Sequence, residues 1–554
     1  MSKAFDNVVK LNAIVSVTDY GAKGDGLQGS ASANVTAIRA AIAAATAANT
    51  GLYVPAGVYV VNDNFRLTSA NNGLTIYGDG FESCIKLADV TNTGVNINAG
   101  WMFEFEDAAL PIKNVTIRDL QLDGSRATTT HITTSFGVRI NGPATEVAHE
   151  NILIENIWSH SFKLGEGIRI NAPGVRINNV FCYNNEFHGI GTTNAYSGPF
   201  NGYVQIDNAT CYDNDGYGID ISKGRAIIGV AECFRNTSGG MKTSENCYFL
   251  QADQLFLYDN TGPGYQCTGS SPDLEINIGY VEARNNGSNG VRLAHGKRAH
   301  ITTARCVGNT GEQFYVTDAI GNGLTVDIDT LYVESPTNTT AVYVDNPGGI
   351  RIGYFEAKSC LQKALRVLSS VSNVSVLSGR LVDNNQNNTA GLAGACFDIN
   401  SEFAVLENLV FLDTQSPATQ TAGMFFGSGC QAYVDGCRFG TGIATNNQVL
   451  TSTAGTRVRF GRGNVGLVTY ARGTYTANGG TTVHTATYPT PIANLGGAVL
   501  YAQMTPASSD ASGAHYVSGN QVTVNAIRVD YVSATPAGTN NVSYRYEVEM
   551  EIQR

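Results

Sequence analysis

The 554-residue sequence predicts an all-β chain: a right-handed parallel β-helix with an N-terminal capping helix and a C-terminal antiparallel β-sandwich domain. Three observations predict it. Charged residues make up 15% of the chain, below the usual quarter, while glycines number 62 and prolines 14. Such a chain favours strands joined by many tight turns. It is also too long for one ordinary compact core, whereas a solenoid grows in one dimension. Third, the chain repeats itself.

Asn185, Asn214, Asn236, Asn260 and Asn286 are each followed four residues later by glycine: Gly189, Gly218, Gly240, Gly264 and Gly290. These glycines are 29, 22, 24 and 26 residues apart. Gly167 and Gly137 continue the series backward without the asparagine, and Asn309 to Gln313 continues it forward. After each glycine comes a short strand with apolar, polar, apolar order, as in Gly-Val-Arg-Ile at 137–140 and Gly-Ile-Asp-Ile at 218–221. That is a strand with one buried face. The asparagines suit corners, where Asn tolerates the left-handed conformation. Stacked about 4.8 Å apart, their amides form a hydrogen-bonded ladder.

Cys182, Cys211, Cys233 and Cys306 each stand three residues before the turn asparagine, and Leu257 and Ala283 take that place in the coils between. One interior apolar column explains all six, so the cysteines are expected to be free thiols. No CxxC or Cys/His cluster of zinc spacing occurs, and neither a metal nor a cofactor is expected.

The ends differ. Residues 34–46 read as one Ala-rich helix with Ile38 and Ile42 on one face, placed to plug the N-terminal end. The coil pattern fades after about residue 440, and Thr/Tyr/Val-rich strands separated by turns follow from about 465. The expected organisation is a short arm at 1–16, a cap at 17–62, the β-helix at 63–445, a linker at 446–465 and the sandwich at 466–554. That last domain suits capping, oligomerisation or carbohydrate contact, and composition does not choose among them.

The net charge of −11 argues against nucleic acid as a partner. No run approaches 18 apolar residues, so membrane insertion is not expected. The N-terminus has no apolar signal core, so a signal peptide is not expected either.

Val17-Thr-Asp-Tyr-Gly-Ala-Lys-Gly-Asp-Gly26 resembles the segment that opens the pectate-lyase-like β-helix of many phage tailspikes. Tyr77-Gly-Asp-Gly80 and Leu120-Gln-Leu-Asp-Gly-Ser125 are similar to the early coils of that superfamily, and the resemblance covers residues 14–440. Two departures stand out. Ser30-Ala-Ser-Ala-Asn34 replaces the family's acidic pair, and about 16 residues precede the motif, where many tailspikes carry a long head-binding domain. The resemblance implies a homotrimer, synthesised in the host cytoplasm and carried on the virion tail, attached through another tail protein unless the chain is a piece of a longer one. Its implied partner is a bacterial surface polysaccharide, capsule or O-antigen. Asp215-Gly-Tyr-Gly-Ile-Asp220 also resembles the catalytic Tyr-Gly-Phe-Asp-Pro-His stretch of mannuronan C5-epimerases. Tyr217 and Asp220 match, but Ile221 and Ser222 stand where the Pro and the catalytic His belong.

Aligning the strands after each glycine sets Val138, Ile168, Ile190, Ile219, Met241, Tyr265 and Val291 inward. The outward column is Arg139, Arg169, Gly191, Asp220, Lys242, Gln266, Arg292, Tyr315, Tyr343 and Arg366. Five cations on an acidic chain suit an anionic glycan, so Arg139, Arg169, Lys242, Arg292 and Tyr315 are the candidate substrate-binding residues. The bland alternative is a solvated face with Asp220 paired to Lys242. Glu166, His188 and Tyr217, just before their glycines, form a second column beside Asp220. These four are the candidate catalytic residues. A uronate lyase must neutralise the carboxylate, abstract the C5 proton and protonate the leaving oxygen. A hydrolase needs two carboxyls about 5–9.5 Å apart, which Asp220 with Glu166 or Glu245 could supply. The expected function is a polysaccharide depolymerase, lyase or glycoside hydrolase. The alternatives are a non-catalytic receptor-binding tail fibre and a free polysaccharide lyase or epimerase.

Overall fold

The computed structural model describes residues 14–461, apart from 90–100, 108, 128–134, 143–147, 193–202, 270–272, 319–320, 322, 336–339, 385–394, 416–421, 441–448 and 452–455; beyond these it describes residue 464 and the backbone of six strands after residue 470. The chain forms two compact units, Met1–Gly311 with Asp318–Leu324, and Glu312–Thr317 with Thr325–Arg554.

The first unit is a parallel β-solenoid. Each coil carries a short strand, such as Ile190–Thr192, and a long one, such as Tyr203–Tyr212. Every strand pairs in parallel with its equivalents in the neighbouring coils, so Val204 aligns with Val175 below and Ala226 above. In the long strands the inward alternation skips one place midway, where the strand bends into a third face. The core is aliphatic, and all seven inward positions expected after the glycines are fully buried. The Ala-rich helix runs Ala31–Ala48, longer than expected, with Ile38 and Ile42 buried. Asn34, in the segment that departs from the family pattern, is buried and bonds Lys23 through both its amide oxygen and nitrogen, and Val60 through the nitrogen.

The asparagine ladder is present, with one correction. Asn185, Asn214, Asn236, Asn260 and Asn286 each donate from Nδ2 to Oδ1 of the asparagine in the next coil, at 2.8–3.1 Å, ending on Asn309. The same oxygens accept the backbone N–H of the asparagine below. From Asn214 onward, each amide also donates to a carbonyl of the preceding coil: Cys182, Cys211, Cys233, Leu257 and Ala283 in turn. The left-handed residue, however, is the one before: Asn184, Asp213, Arg235, Asp259 and Asn285, with φ of 53–55°. The ladder asparagine is needed inside for its hydrogen bonds, so the strained backbone falls on its exposed neighbour.

The glycines are explained by close approach. A Cβ at Gly218 would stand 2.8 Å from the Cys233 Cβ and 2.9 Å from the Gly240 carbonyl oxygen. Cys182, Cys211, Cys233, Leu257, Ala283 and Cys306 align in that order as one buried column. All eleven cysteines are free and buried, and burial pushes the Cys306 thiol up.

The second unit continues the parallel pairing in its own coils, from Thr325–Glu334 with Gly349–Lys358 to Gln431–Asp435 with Arg457–Phe460. Its last strands are antiparallel, as expected. Tyr470–Ala477 and Val499–Pro506 pair with Val542–Gln553, while Val483–Thr487 and Val517–Val522 pair with Ala526–Tyr531. Whether these sheets pack as a sandwich turns on side chains outside the described residues, as do most of the arm at 1–16 and of the linker at 446–465. Among the described residues no helix is long and apolar enough to cross a membrane.

Removing one rung tests the ladder. Asn236→Ala deprives the Asn214 amide and backbone of their acceptor, and Cys211 and Asn260 of their donor. At about 1–3 kcal/mol for each buried group left unsatisfied, the variant should lose several kcal/mol. Asn151→Ala, at the exposed pair with Asn114, should lose only about 1–2 kcal/mol, the strain of an alanine at its φ of 55°. Urea-unfolding midpoints compare the two, and equal losses would show that the ladder is not a main support.

Candidate functional site

The site rests on one sheet of the first unit. The outward column aligns as expected from the sequence: Arg139 with Arg169, Arg169 with Gly191, Gly191 with Asp220, Asp220 with Lys242, Lys242 with Gln266, and Gln266 with Arg292. The inward neighbours pin each strand in the core, so these side chains leave from a stiff surface.

His188 and Asp220 meet at its centre. The His188 Nε2 lies 3.2 Å from the Asp220 Oδ2, and the two residues are 6% and 5% exposed. The His188 Nδ1 accepts the backbone N–H of Tyr217 at 2.9 Å, which puts the proton of a neutral ring on Nε2, facing the carboxylate. Space for this contact comes from Gly216, where a Cβ would fall 2.4 Å from the same nitrogen. The Ser222 hydroxyl donates to Asp220 Oδ1 at 2.8 Å and lies 2.9 Å from the Ser244 hydroxyl. Lys242 Nζ stands 3.8 Å from Asp220 Oδ2 and 5.5 Å from the centre of the Tyr217 ring. The Tyr217 hydroxyl donates to Gln266 at 3.3 Å, and burial raises its pKa, with the Asp220 charge adding to the rise. The phenol therefore keeps its proton at neutral pH.

Glu166 lies beneath this surface. It has no exposed area, and neither carboxyl oxygen has a hydrogen-bond partner. Its carboxyl fills the notch left by Gly191, whose Cβ would come 2.7 Å from Oε1. Burial pushes its pKa to about 7, against the pull of Arg169, whose Nε is 3.8 Å away, and of His188. Glu166 thus joins the cluster from below and does not itself reach a ligand on the face.

The cation row needs a correction. Arg139 pairs with Glu104 at 3.3 Å and lies 4.4 Å from the Trp101 ring. Arg169 faces Glu166, and Lys242 faces Asp220. In the second unit Arg366 faces Asp398 at 3.7 Å. The column is a row of paired charges and not a bare positive strip. The pairing of Asp220 with Lys242 is real, but the solvated face imagined with it is not, since Asp220 is buried. Arg292 is half-buried beside Gln266 and bears on the Tyr217 hydroxyl. Tyr315, in the segment assigned to the second unit, packs on Tyr343 with ring centres 5.5 Å apart. The Glu245 side chain lies outside the described residues.

Sequence reasoning missed Ser222, Ser244 and Gly216. The first stands where the epimerase motif has its histidine, and that mismatch was the available signal. Gln266 was placed in the column without a role. Among the described residues no three His, Cys, Asp or Glu side chains converge as a metal-binding group.

Residues 14–246, which contain most of this cluster, match a family model described as rhamnogalacturonase A/epimerase, pectate lyase-like. No curated protein matches the sequence. Among solved structures, the mannuronan C-5 epimerase AlgE6 A-module of Azotobacter vinelandii is similar at 17% identity, over 81% of this chain and 98% of that one, with a TM-score of 0.40. Tailspike protein gp49 of Pseudomonas phage LKA1 is similar at 12% identity over 97% and 99%, with a TM-score of 0.46. The tailspike of E. coli bacteriophage HK620, in complex with a pentasaccharide, is similar at 12% identity over 98% and 94%, with a TM-score of 0.44.

The buried carboxyl makes stability depend on pH. Glu166 holds its proton more tightly folded than unfolded, where the value is 4.5. Its contribution is therefore full below that value and is lost as pH rises through about 7. Glu166→Gln removes the cost of ionising it. The variant should match the parent chain at pH 4 and exceed it by about 3 kcal/mol at pH 8, on the scale of 1.36 kcal/mol per unit. Denaturant unfolding at the two pH values reads this, and an equal gain at both would overturn it.

Proposed function

We propose that the chain is a tailspike-type depolymerase that cleaves an acidic bacterial surface polysaccharide by β-elimination at the sheet around Asp220. The observation that carries this is the buried His188–Asp220 pair, set beside a protonated Tyr217 and flanked by Lys242 and Arg169. The pectate-lyase-like match over residues 14–246 supports an action on polysaccharide. The placement on a phage tail, and the binding of host capsule or O-antigen, rest on the resemblance of Val17–Gly26 to the opening segment of tailspikes.

A lyase suits this geometry better than a hydrolase. Both His188 nitrogens are engaged, so the imidazole orients Asp220 and does not take a substrate proton itself. Glu166 is too deep to serve as the second carboxyl of a hydrolase pair. In the proposed step Lys242, one coil from Asp220, neutralises the uronate carboxylate and acidifies C5–H, while Arg169 and Arg292, farther along the column, hold neighbouring acidic units of the glycan. Asp220 takes that proton, and the electron pair forms the C4=C5 double bond. The C4–O bond breaks, and Tyr217 gives its proton to the leaving oxygen.

Asp220→Asn should lower depolymerisation by roughly a hundredfold or more, the usual scale for an acid–base group, with glycan binding and unfolding little changed. Ultraviolet absorbance from the new unsaturated uronate follows the reaction. Near-normal turnover would move the site elsewhere, and new reducing ends without that absorbance would mean hydrolysis.

The resemblance further implies a homotrimer clamped by the C-terminal strands. Sedimentation at micromolar concentration should give a trimeric mass for the full chain; a monomer would remove the tailspike-type assembly from this reading.

A further inference from the structure

A second concave site lies around the corner of the coil from Asp220. The strand Tyr217–Phe234 turns at residues 222–224, where its pairing with the next coil shifts register. Just past the turn, Tyr203, Arg225, Phe249 and Glu275 stack as one column across four coils. With Tyr248, Asp273 and a second cation, Lys297, they line a cleft of about 410 Å³.

Its chemistry differs from that of the Asp220 face. The Tyr203 and Phe249 rings meet edge to face at 6.1 Å, although a whole coil separates them, so both lean over Arg225. Tyr203 is 43% exposed, so its ring face is open to solvent. The Arg225 guanidinium lies 5.6 Å from the Tyr203 ring and donates to its hydroxyl at 3.4 Å. Among the described residues it has no carboxylate partner, whereas Arg139, Arg169 and Lys242 each have one. Core packing does not require this arrangement, since every member of the column points away from the core. Aromatic faces set among charged side chains suit a polar ring that has one apolar face.

We infer that this cleft is a second saccharide site, separate from the Asp220 face, which holds one acidic pyranose unit of the polysaccharide. The apolar face of the sugar lies on Tyr203 and Phe249, its carboxylate takes the Arg225 guanidinium, and Asp273 and Glu275 accept its hydroxyls. The inference rests on the reading of the chain as acting on an acidic polysaccharide. It adds a hold on the chain that takes no part in cleavage.

The test is a microarray of acidic bacterial oligosaccharides, probed with the full-length protein carrying Asp220→Asn so that bound ligand is not consumed. Tyr203→Ala and Arg225→Gln, each added to that background, should weaken retention at least tenfold, with unfolding unchanged because both side chains are exposed. In the otherwise unaltered chain the same two substitutions should leave cleavage of short fragments intact. Retention unaffected by both substitutions, or no acidic saccharide retained at all, would overturn the second site. The cleavage assay is scored separately, so failure of the catalytic reading and failure of this one give different results.

Discussion

An asparagine amide buried in a protein has two hydrogens and an oxygen with two lone pairs to satisfy, and the ladder from Asn185 to Asn309 satisfies them through its neighbouring coils. A slip of one coil by a single residue would leave buried polar groups unpaired on both sides. Apolar packing alone tolerates small sliding, whereas a hydrogen bond at about 2.9 Å does not. The ladder therefore sets register, and register sets everything on the outer faces. The glycine column beside it depends on the same constraint, because close approach of successive coils leaves no room for a Cβ.

From that register follows a site whose members come from widely separated parts of the chain. Glu166, His188, Tyr217, Asp220, Lys242 and Gln266 span five coils, yet each is one hydrogen bond, one ion pair or one filled notch from another. The cluster is built by stacking, with a stiff sheet under it, so its geometry does not depend on a loop closing. The charges are arranged in pairs, which limits the cost of holding them in a half-buried surface. Glu166 is the deepest of them: its carboxyl faces Arg169 at 3.8 Å but has no hydrogen bond, and it is held there at some expense of stability, as is common near functional sites.

Much of this was legible in one dimension. The Asn-to-Gly spacing located the coils, the cysteine position located an interior column, and the polar residue after each glycine located the face that carries Asp220. Those features repeat with the chain, and a strand's alternation translates directly into inside and outside. The antiparallel character of the C-terminal strands was readable in the same way, from their Thr/Tyr/Val content and turn residues.

What the sequence could not decide was pairing. Whether Arg139 is free or held by Glu104, whether both nitrogens of His188 are engaged, and whether Glu166 faces solvent or the underside of Gly191 all depend on residues 20 to 40 positions away and on ångström-scale distances between coils. The left-handed corner was misplaced by one residue for the same reason. Composition says that Asn tolerates that backbone, but the buried hydrogen bonds of the next residue decide which position must adopt it. Periodicity is a property of the chain and is read from it. Electrostatic and hydrogen-bond partners are properties of the stack, and only its tertiary register chooses among them.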